Sequence, residues 1–374
     1  MTKQANGQPD EFKSFLKIPG GGEINRCYYS FKLDTYGRGC QHDCPYCYAK
    51  SSLDFRGLWD ERTPAAADFG KIQKLFEDIF DSGKSRSKYR EILENRVPLR
   101  LGSMTDCFGP IEKKQKVSLR LLQLCKKYNY PYVIFTKNKL VAQGEWLEAL
   151  DPELAYVQFS ITTPYDDVAR EHEPVASSTT DRLSALKILA DRGFHTATRI
   201  NPLFPIYPDG YFSGEREFEE EPKALRYFDW SLVDMVAETG CKMIIAGFIR
   251  LSNWNIRWIK ERTGEDYTYL FDPKTKHNNT ALHFSTEEKR YYYERIRDMC
   301  HKHGMEFSVC YDGDEAYETF RYLWADPNDC CNGKSHVKNF GNAMDFENEE
   351  FIASPRMEKK PTPVPTEAGS HCIK

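Results

Sequence analysis

The cysteines of GRGCQHDCPYCYA, residues 37–49, constrain this chain more than any other feature. Cys40, Cys44 and Cys47 stand in a C-x3-C-x2-C spacing on a short loop. Three thiolates so placed can hold three irons of a [4Fe–4S] cubane, which ordinarily takes four cysteines. One iron is then left open to bind and reduce a small molecule. Zinc would want a second C-x2-C pair or histidines at fixed spacing, and the chain has no second pair. His42 lies inside the loop, where ligation would strain it. A disulfide cannot satisfy three cysteines within so tight a turn. The spacing favours a cluster, with zinc and a disulfide as the alternatives.

The rest of the chain must supply a scaffold for that loop. Apolar strands alternate with helical stretches from residue 27 onward. Strands are expected at residues 27–33, 97–103, 131–136, 155–161, 194–200 and 242–248. Helices are expected within 51–95, where Ile72, Leu75, Phe76 and Ile79 share one face, and over 114–128, through Trp146 and Leu150, over 182–192 and over 229–239. Short connections suit parallel crossovers, so the class is α/β. A partial barrel and a doubly wound open sheet both fit. No G-x-G-x-x-G follows a strand, which weakens a dinucleotide-binding reading.

The cysteine motif, with Tyr46 before its last cysteine, resembles the signature of the radical S-adenosylmethionine (SAM) enzymes. Its context, from Tyr36 through CPYCYA, is similar to the subgroup around spore photoproduct lyase. The likeness covers about residues 27–205 by motif order. It implies a partial (β/α)6 TIM-like barrel with a mixed C-terminal extension. It also implies a [4Fe–4S] cluster at Cys40, Cys44 and Cys47 whose open iron chelates SAM, reductive cleavage of SAM, and hydrogen abstraction from a substrate. A reducing partner such as flavodoxin or ferredoxin would feed the cluster.

Barrel folds of this kind gather their chemistry at the carboxyl ends of the strands. The cofactor-binding residues the resemblance implies there are Tyr46, Ser103, Lys137, Ser160 and Arg199. Lys137, in the subgroup's Thr-Lys motif, would pair with the SAM carboxylate. Ser160, opening Ser-Ile-Thr-Thr, would serve the ribose or carboxylate. Arg199 could clamp a carboxylate or close a salt bridge inside the barrel. Asp106 and Cys107, in GSMTDCFGPIE, are the catalytic candidates. Asp106 could bind substrate or cap a helix, and Glu112 reads as a helix cap or a surface residue. Cys107 is either a packed thiol or a hydrogen donor. In spore photoproduct lyase the hydrogen-returning cysteine matches the position of Ser103, whose O–H bond is too strong for that role.

Residues 1–25 read as an N-terminal extension with a Gly20–Gly22 joint, 26–250 as the barrel, 251–353 as a C-terminal cap and 354–374 as a disordered tail. Residues 206–228 read as an acidic loop or lid. Trp254, Trp258, Tyr267, Tyr269 and Phe271, amid Arg250, Arg257 and Lys260, could stack on a nucleobase or pack the cap. Cys310, Cys330 and Cys331 could hold a second cluster with Cys300, His301 or His303, or remain plain thiols. The polar first residues and the lack of an apolar run of membrane length suggest a cytoplasmic protein with reduced cysteines. A net charge of −4 excludes a broadly basic surface for nucleic acid, though not a local basic groove. The expected activity is on a nucleobase or nucleoside, free or in nucleic acid. A peptide or small metabolite is the alternative substrate, and a non-enzymatic iron–sulfur or zinc module the alternative class.

Overall fold

A computed structural model of the chain describes residues 12, 15–17, 29, 31–54, 56–59, 64–274, 281–310, 319–337, 344–345 and 350–351. The Gly20–Gly22 joint, Cys27 at the start of the first expected strand and the tail from Ser354 lie outside these residues.

The centre is a sheet of eight strands in chain order. A short edge strand, Leu16–Lys17, is antiparallel to β1 (Lys32–Leu33). Parallel pairing then runs through β2 (Leu99–Leu101), β3 (Tyr132–Thr136), β4 (Ala155–Ser160), β5 (His195–Leu203), β6 (Met243–Phe248) and β7 (Glu306–Val309). Six of these are the strands expected of the barrel. The seventh, which the sequence also marks as a strand over Glu306 to Cys310, extends the same sheet past residue 250 by pairing with β6. Among the described residues β7 does not pair back to β1, so the α/β fold is a partial, open TIM-like barrel.

Burial explains why these segments are strands. In β4, AYVQFS, every residue but the last is buried, and β6, MIIAGF, is buried throughout. Both faces of a parallel strand are covered, one by helices and the other by the barrel interior, so the sequence runs apolar instead of alternating. The helices start where a side chain can accept the first free amides. Asp68 accepts from Gly70 N at 2.9 Å to open Phe69–Phe76. Ser178 accepts from Asp181 N at 3.1 Å, which starts the helix Thr179–Asp191 earlier than periodicity alone suggested. Among the described residues no helix is long and apolar enough to cross a membrane.

Glu112 shows how the loop after β2 is fixed. It is fully buried and caps the helix α1 (Val117–Lys127) from outside its first turn. Its carboxylate accepts from Ser118 N at 3.0 Å, Leu119 N at 2.8 Å and Trp146 Nε1 at 2.8 Å, and from the Tyr36 hydroxyl. The helix-cap reading therefore holds and the surface reading does not. Removing this acceptor leaves several buried donors unpaired, each a desolvation cost of roughly 1–3 kcal/mol. Glu112→Ala should lower unfolding free energy in chemical denaturation by at least ~3 kcal/mol. A loss below ~1 kcal/mol would show that the cap is dispensable.

Candidate functional site

The cysteine loop leaves β1 and crosses the carboxyl end of the sheet. Tight turns shape it, with Asp43 at φ 47° and Arg38 at φ 63°. The core of the protein holds it from several sides. Thr105 Oγ1 donates to Gly39 O at 2.8 Å, and Ile111 N donates to Gln41 Oε1 at 2.8 Å. The helix α2 (Asn253–Thr263) presses on its far side, where Asn255 Nδ2 donates to Pro45 O at 2.9 Å. Arg262 pairs with Asp43, and Lys50 reaches the same carboxylate at 2.6 Å. Three free thiols are thus presented on an ordered loop, with Cys44 buried and Cys40 and Cys47 half-buried.

These residues fit a cluster. Burial pushes the Cys40 thiol up to about 12 and holds Cys44 well above the usual thiol range. A bound metal inverts that preference and deprotonates its thiols outright. Among the described residues no group of three His, Cys, Asp or Glu side chains converges as a single metal ion requires. A cubane does not need such convergence, because each cysteine holds a different iron.

Asp106 is the junction beneath the loop. His42 Nε2 meets its Oδ2 at 2.9 Å, Thr136 Oγ1 donates at 2.9 Å, Lys137 N at 2.7 Å and Phe108 N at 2.8 Å. It therefore ties the cysteine loop to the mouths of β2 and β3. Burial alone would raise its carboxyl pKa, but His42 and the backbone donors hold it below the usual carboxylate range. Cys107, the next residue, is fully buried and turns toward Thr35 in the layer under β1. Its carbonyl accepts from Ser118 Oγ at 2.6 Å.

The other expected site residues do gather at the strand ends. Ser103 follows Gly102, whose φ of 83° and whose approach to Phe135 O leave no room for a Cβ. Ser103 Oγ donates to Asp34 at 2.9 Å, and its carbonyl accepts from the Tyr48 hydroxyl at 2.6 Å. Tyr46 donates to Glu173, which also pairs with Arg182 and lies 4.0 Å from Lys137 Nζ. Arg182 in turn donates to Ser160 O at 2.8 Å, so Tyr46, Lys137 and Ser160 belong to one network. Asp34, Arg182 and Asn255 carry much of this geometry, yet nothing in their spacing marks them. Glu173-Pro174 fits the subgroup's pattern in the sequence, where a turn-forming proline is the other explanation.

Arg199 stands apart, across β4 from that network. Its Nη1 donates to Gln158 Oε1 at 2.9 Å and lies 3.7 Å from Cys331 Sγ, while Nη2 lies 2.7 Å from Cys310 Sγ. Burial would lower the guanidinium pKa, but the sulfurs around it keep it charged. Cys310, Cys330 and Cys331 thus surround an arginine. Of the fourth ligands considered, His303 is bonded to Asp234 at 2.7 Å, on the helix layer. The expected aromatic set divides: Tyr267 and Phe271 are buried in the cap, whereas Trp254 and Tyr269 are exposed.

Glu173 gives the network a pH signature. Burial opposes its charge, but Arg182 and Lys137 together hold its carboxyl below the usual glutamate range. A depressed carboxylate adds stability above its unfolded value of about 4.3 and loses it as pH falls through the lower folded value. Glu173→Gln should therefore destabilise the protein by about 3–5 kcal/mol at neutral pH and flatten the acid limb of its stability curve. Unfolding midpoints from pH 7 down to pH 3 would show this, and an unchanged acid limb would refute it.

The comparisons agree with this architecture. Residues 35–213 match the family model of the radical SAM superfamily. An uncharacterized protein of Methanocaldococcus jannaschii is 25% identical over 202 residues, 53% of this chain and 67% of the relative. Among solved structures, a cysteine-to-serine mutant of spore photoproduct lyase superposes with a TM-score of 0.55 at 16% identity, covering 80% of this chain and 81% of the other. Spore photoproduct lyase complexed with dinucleoside spore photoproduct gives 0.53 at 16% identity, covering 82% and 88%. A double mutant of it with bound AdoMet and the same dinucleoside gives 0.52 at 16% identity, covering 78% and 86%. At such identities these structures speak for the fold, and the family match speaks for the chemistry. Residues 35–213 thus carry a radical SAM domain, and the reading of the chain as a radical SAM enzyme rests on it.

Proposed function

We propose that this enzyme abstracts hydrogen from a nucleobase or nucleoside, free or within nucleic acid. The observation that carries this substrate class is a wall inside the mouth. Arg100 and Arg199 stand 4.6 and 4.7 Å from the centroid of the Phe135 ring. Guanidinium groups beside an aromatic ring put positive charge next to a flat apolar surface, which suits a base and its phosphate together. Outside the mouth, Arg257 covers the exposed Trp254 at 4.2 Å on α2, beside the cysteine loop. The acidic net charge does not oppose this reading, because the cations are local. The complex of spore photoproduct lyase with a dinucleoside, on the same fold, adds a neighbour's substrate as support.

Cys40, Cys44 and Cys47 would hold the [4Fe–4S] cluster. When bound, the cluster supplies the electron that cleaves SAM into methionine and a 5′-deoxyadenosyl radical. Lys137 offers its amine to the SAM carboxylate, and Glu173 with Arg182 holds that amine in place. Ser160 offers its hydroxyl beside it. Tyr46 and Ser103 hold the loop and the β2 mouth, and Asp106 positions the cysteine loop instead of reacting. Cys107 packs. A flavodoxin or ferredoxin would deliver the electron.

Three measurements test this. Anaerobically reconstituted protein should hold about four irons, and the Cys40, Cys44 and Cys47 triple alanine variant should lose both iron and the SAM-induced spectral change. Lys137→Ala and Ser160→Ala should each weaken SAM binding by roughly 1.5–3 kcal/mol with iron retained. Formation of 5′-deoxyadenosine should rise with nucleosides or oligonucleotides. A rise with peptides alone would overturn the substrate class.

A further inference from the structure

The helix α2 comes from beyond residue 250, yet three of its side chains end on or beside the cysteine loop. Arg262 Nη1 donates to Asp43 O at 2.6 Å, and its other terminal nitrogen pairs with the Asp43 carboxylate. The ring of Trp258 lies 4.8 Å from the Lys50 amine, which reaches the same carboxylate. Asn255 is the buried one of the three, only 2% exposed. Its Oδ1 accepts from Ser252 N at 3.1 Å and from Ser252 Oγ at 2.7 Å. Its Nδ2 donates to Pro45 O at 2.9 Å. A carboxamide has one accepting end and one donating end, so these partners fix which way it points.

Pro45 and Tyr46 separate two of the cluster ligands, Cys44 and Cys47. Their peptide bond is trans. A trans peptide is planar and carries its N–H opposite its C=O. With the Pro45 carbonyl drawn toward α2, the Tyr46 N–H is turned away from that helix. The next amide, Cys47 N, donates to Cys44 O at 3.1 Å. The Tyr46 amide has no acceptor among the described residues, although Tyr46 is buried. Buried backbone donors are nearly always paired, so this one points to an acceptor that is not part of the chain.

We propose that Asn255 is a positioning residue for the cluster: by holding the Pro45 carbonyl it aims the Tyr46 amide at the cluster's sulfur atoms and so raises the potential at which the cluster is reduced. This rests on the cluster reading above. Hydrogen bonds to the sulfurs are one of the means by which a protein sets such a potential. The sign follows from charge. Reduction adds an electron beside the N–H, and a donor favours the more negative state. Asn255 thus acts on the cluster from 210 residues along the chain and touches none of its ligand side chains.

The probe is the reconstituted cluster itself, without substrate, titrated against redox mediators and followed by the EPR signal of its reduced state. Asn255→Ala removes the donor and adds no charge, while Arg262 and Lys50 still hold α2 and the loop together through Asp43. At the wild-type midpoint its ratio of reduced to oxidised cluster should fall at least threefold, a shift of about 28 mV to lower potential for a one-electron couple. Ser252→Ala is the structural control. It removes the side-chain cap of α2 and leaves the Asn255 amide on Pro45 O. It should lower the melting temperature of the iron-free protein and move the ratio less than threefold. If both variants move the ratio alike, or Asn255→Ala does not move it, the proposal is overturned. If Asn255→Ala does not fold, the wild type decides. Exchange of the Tyr46 amide with deuterated solvent should slow at least tenfold on cluster loading, and unchanged exchange overturns the proposal. A wild type that takes up no iron overturns the cluster reading, and this proposal with it. Iron uptake with an unmoved ratio overturns this proposal alone.

Discussion

The carboxylate of Asp106 is the interaction on which the mouth of this barrel depends. It is buried, and it is affordable only because His42, Thr136 and two backbone amides donate to it. Through it the cysteine loop is fastened to the ends of β2 and β3, which are far apart in sequence. Asp34, Glu112 and Glu173 repeat the device at Ser103, at α1 and at Arg182. Each of these acids ties its own segment to a neighbouring strand end or helix. Beside these acids stand three cations, Lys137, Arg100 and Arg199. That is the polarity a SAM carboxylate needs, in a chain whose net charge is −4.

The C-terminal segment completes the barrel from two directions. β7 adds a parallel strand beside β6, and α2 leans on the cysteine loop through Asn255 and Arg262. The DCCNG turn is anchored at the opening of the chain, where the Tyr29 hydroxyl donates to Asp329 at 2.7 Å and accepts from Gly333 N at 2.9 Å. Residues 300 positions apart thus share one buried bond. A chain closed on itself in this way brings cysteines from its last quarter against Arg199 of β5.

Much of this was legible in the sequence. The cysteine spacing and the apolar runs specified a parallel α/β scaffold with a loop at its carboxyl end. Those signals are local: ligand spacing on a loop and periodicity along a strand or helix. The strand-end positions of Ser103, Lys137, Ser160 and Arg199 followed from the same alternation, because parallel strands all end on one face.

Only the tertiary structure decided what those side chains touch. Sequence could leave Arg199 between a SAM clamp and an internal salt bridge, and the fold sets it between Gln158 and two thiols instead. It could leave Cys107 open as a reactive group, and the fold turns it into the core while setting Cys310 against Arg199. Partners such as Asp34 with Ser103, or Glu173 with Arg182, lie at separations that no periodicity encodes. Spacing within a segment fixes which elements form and which face they bury. The pairing of polar groups across elements depends on how the sheet coils and which loop lands on which strand end, and that is settled only when the whole chain has packed.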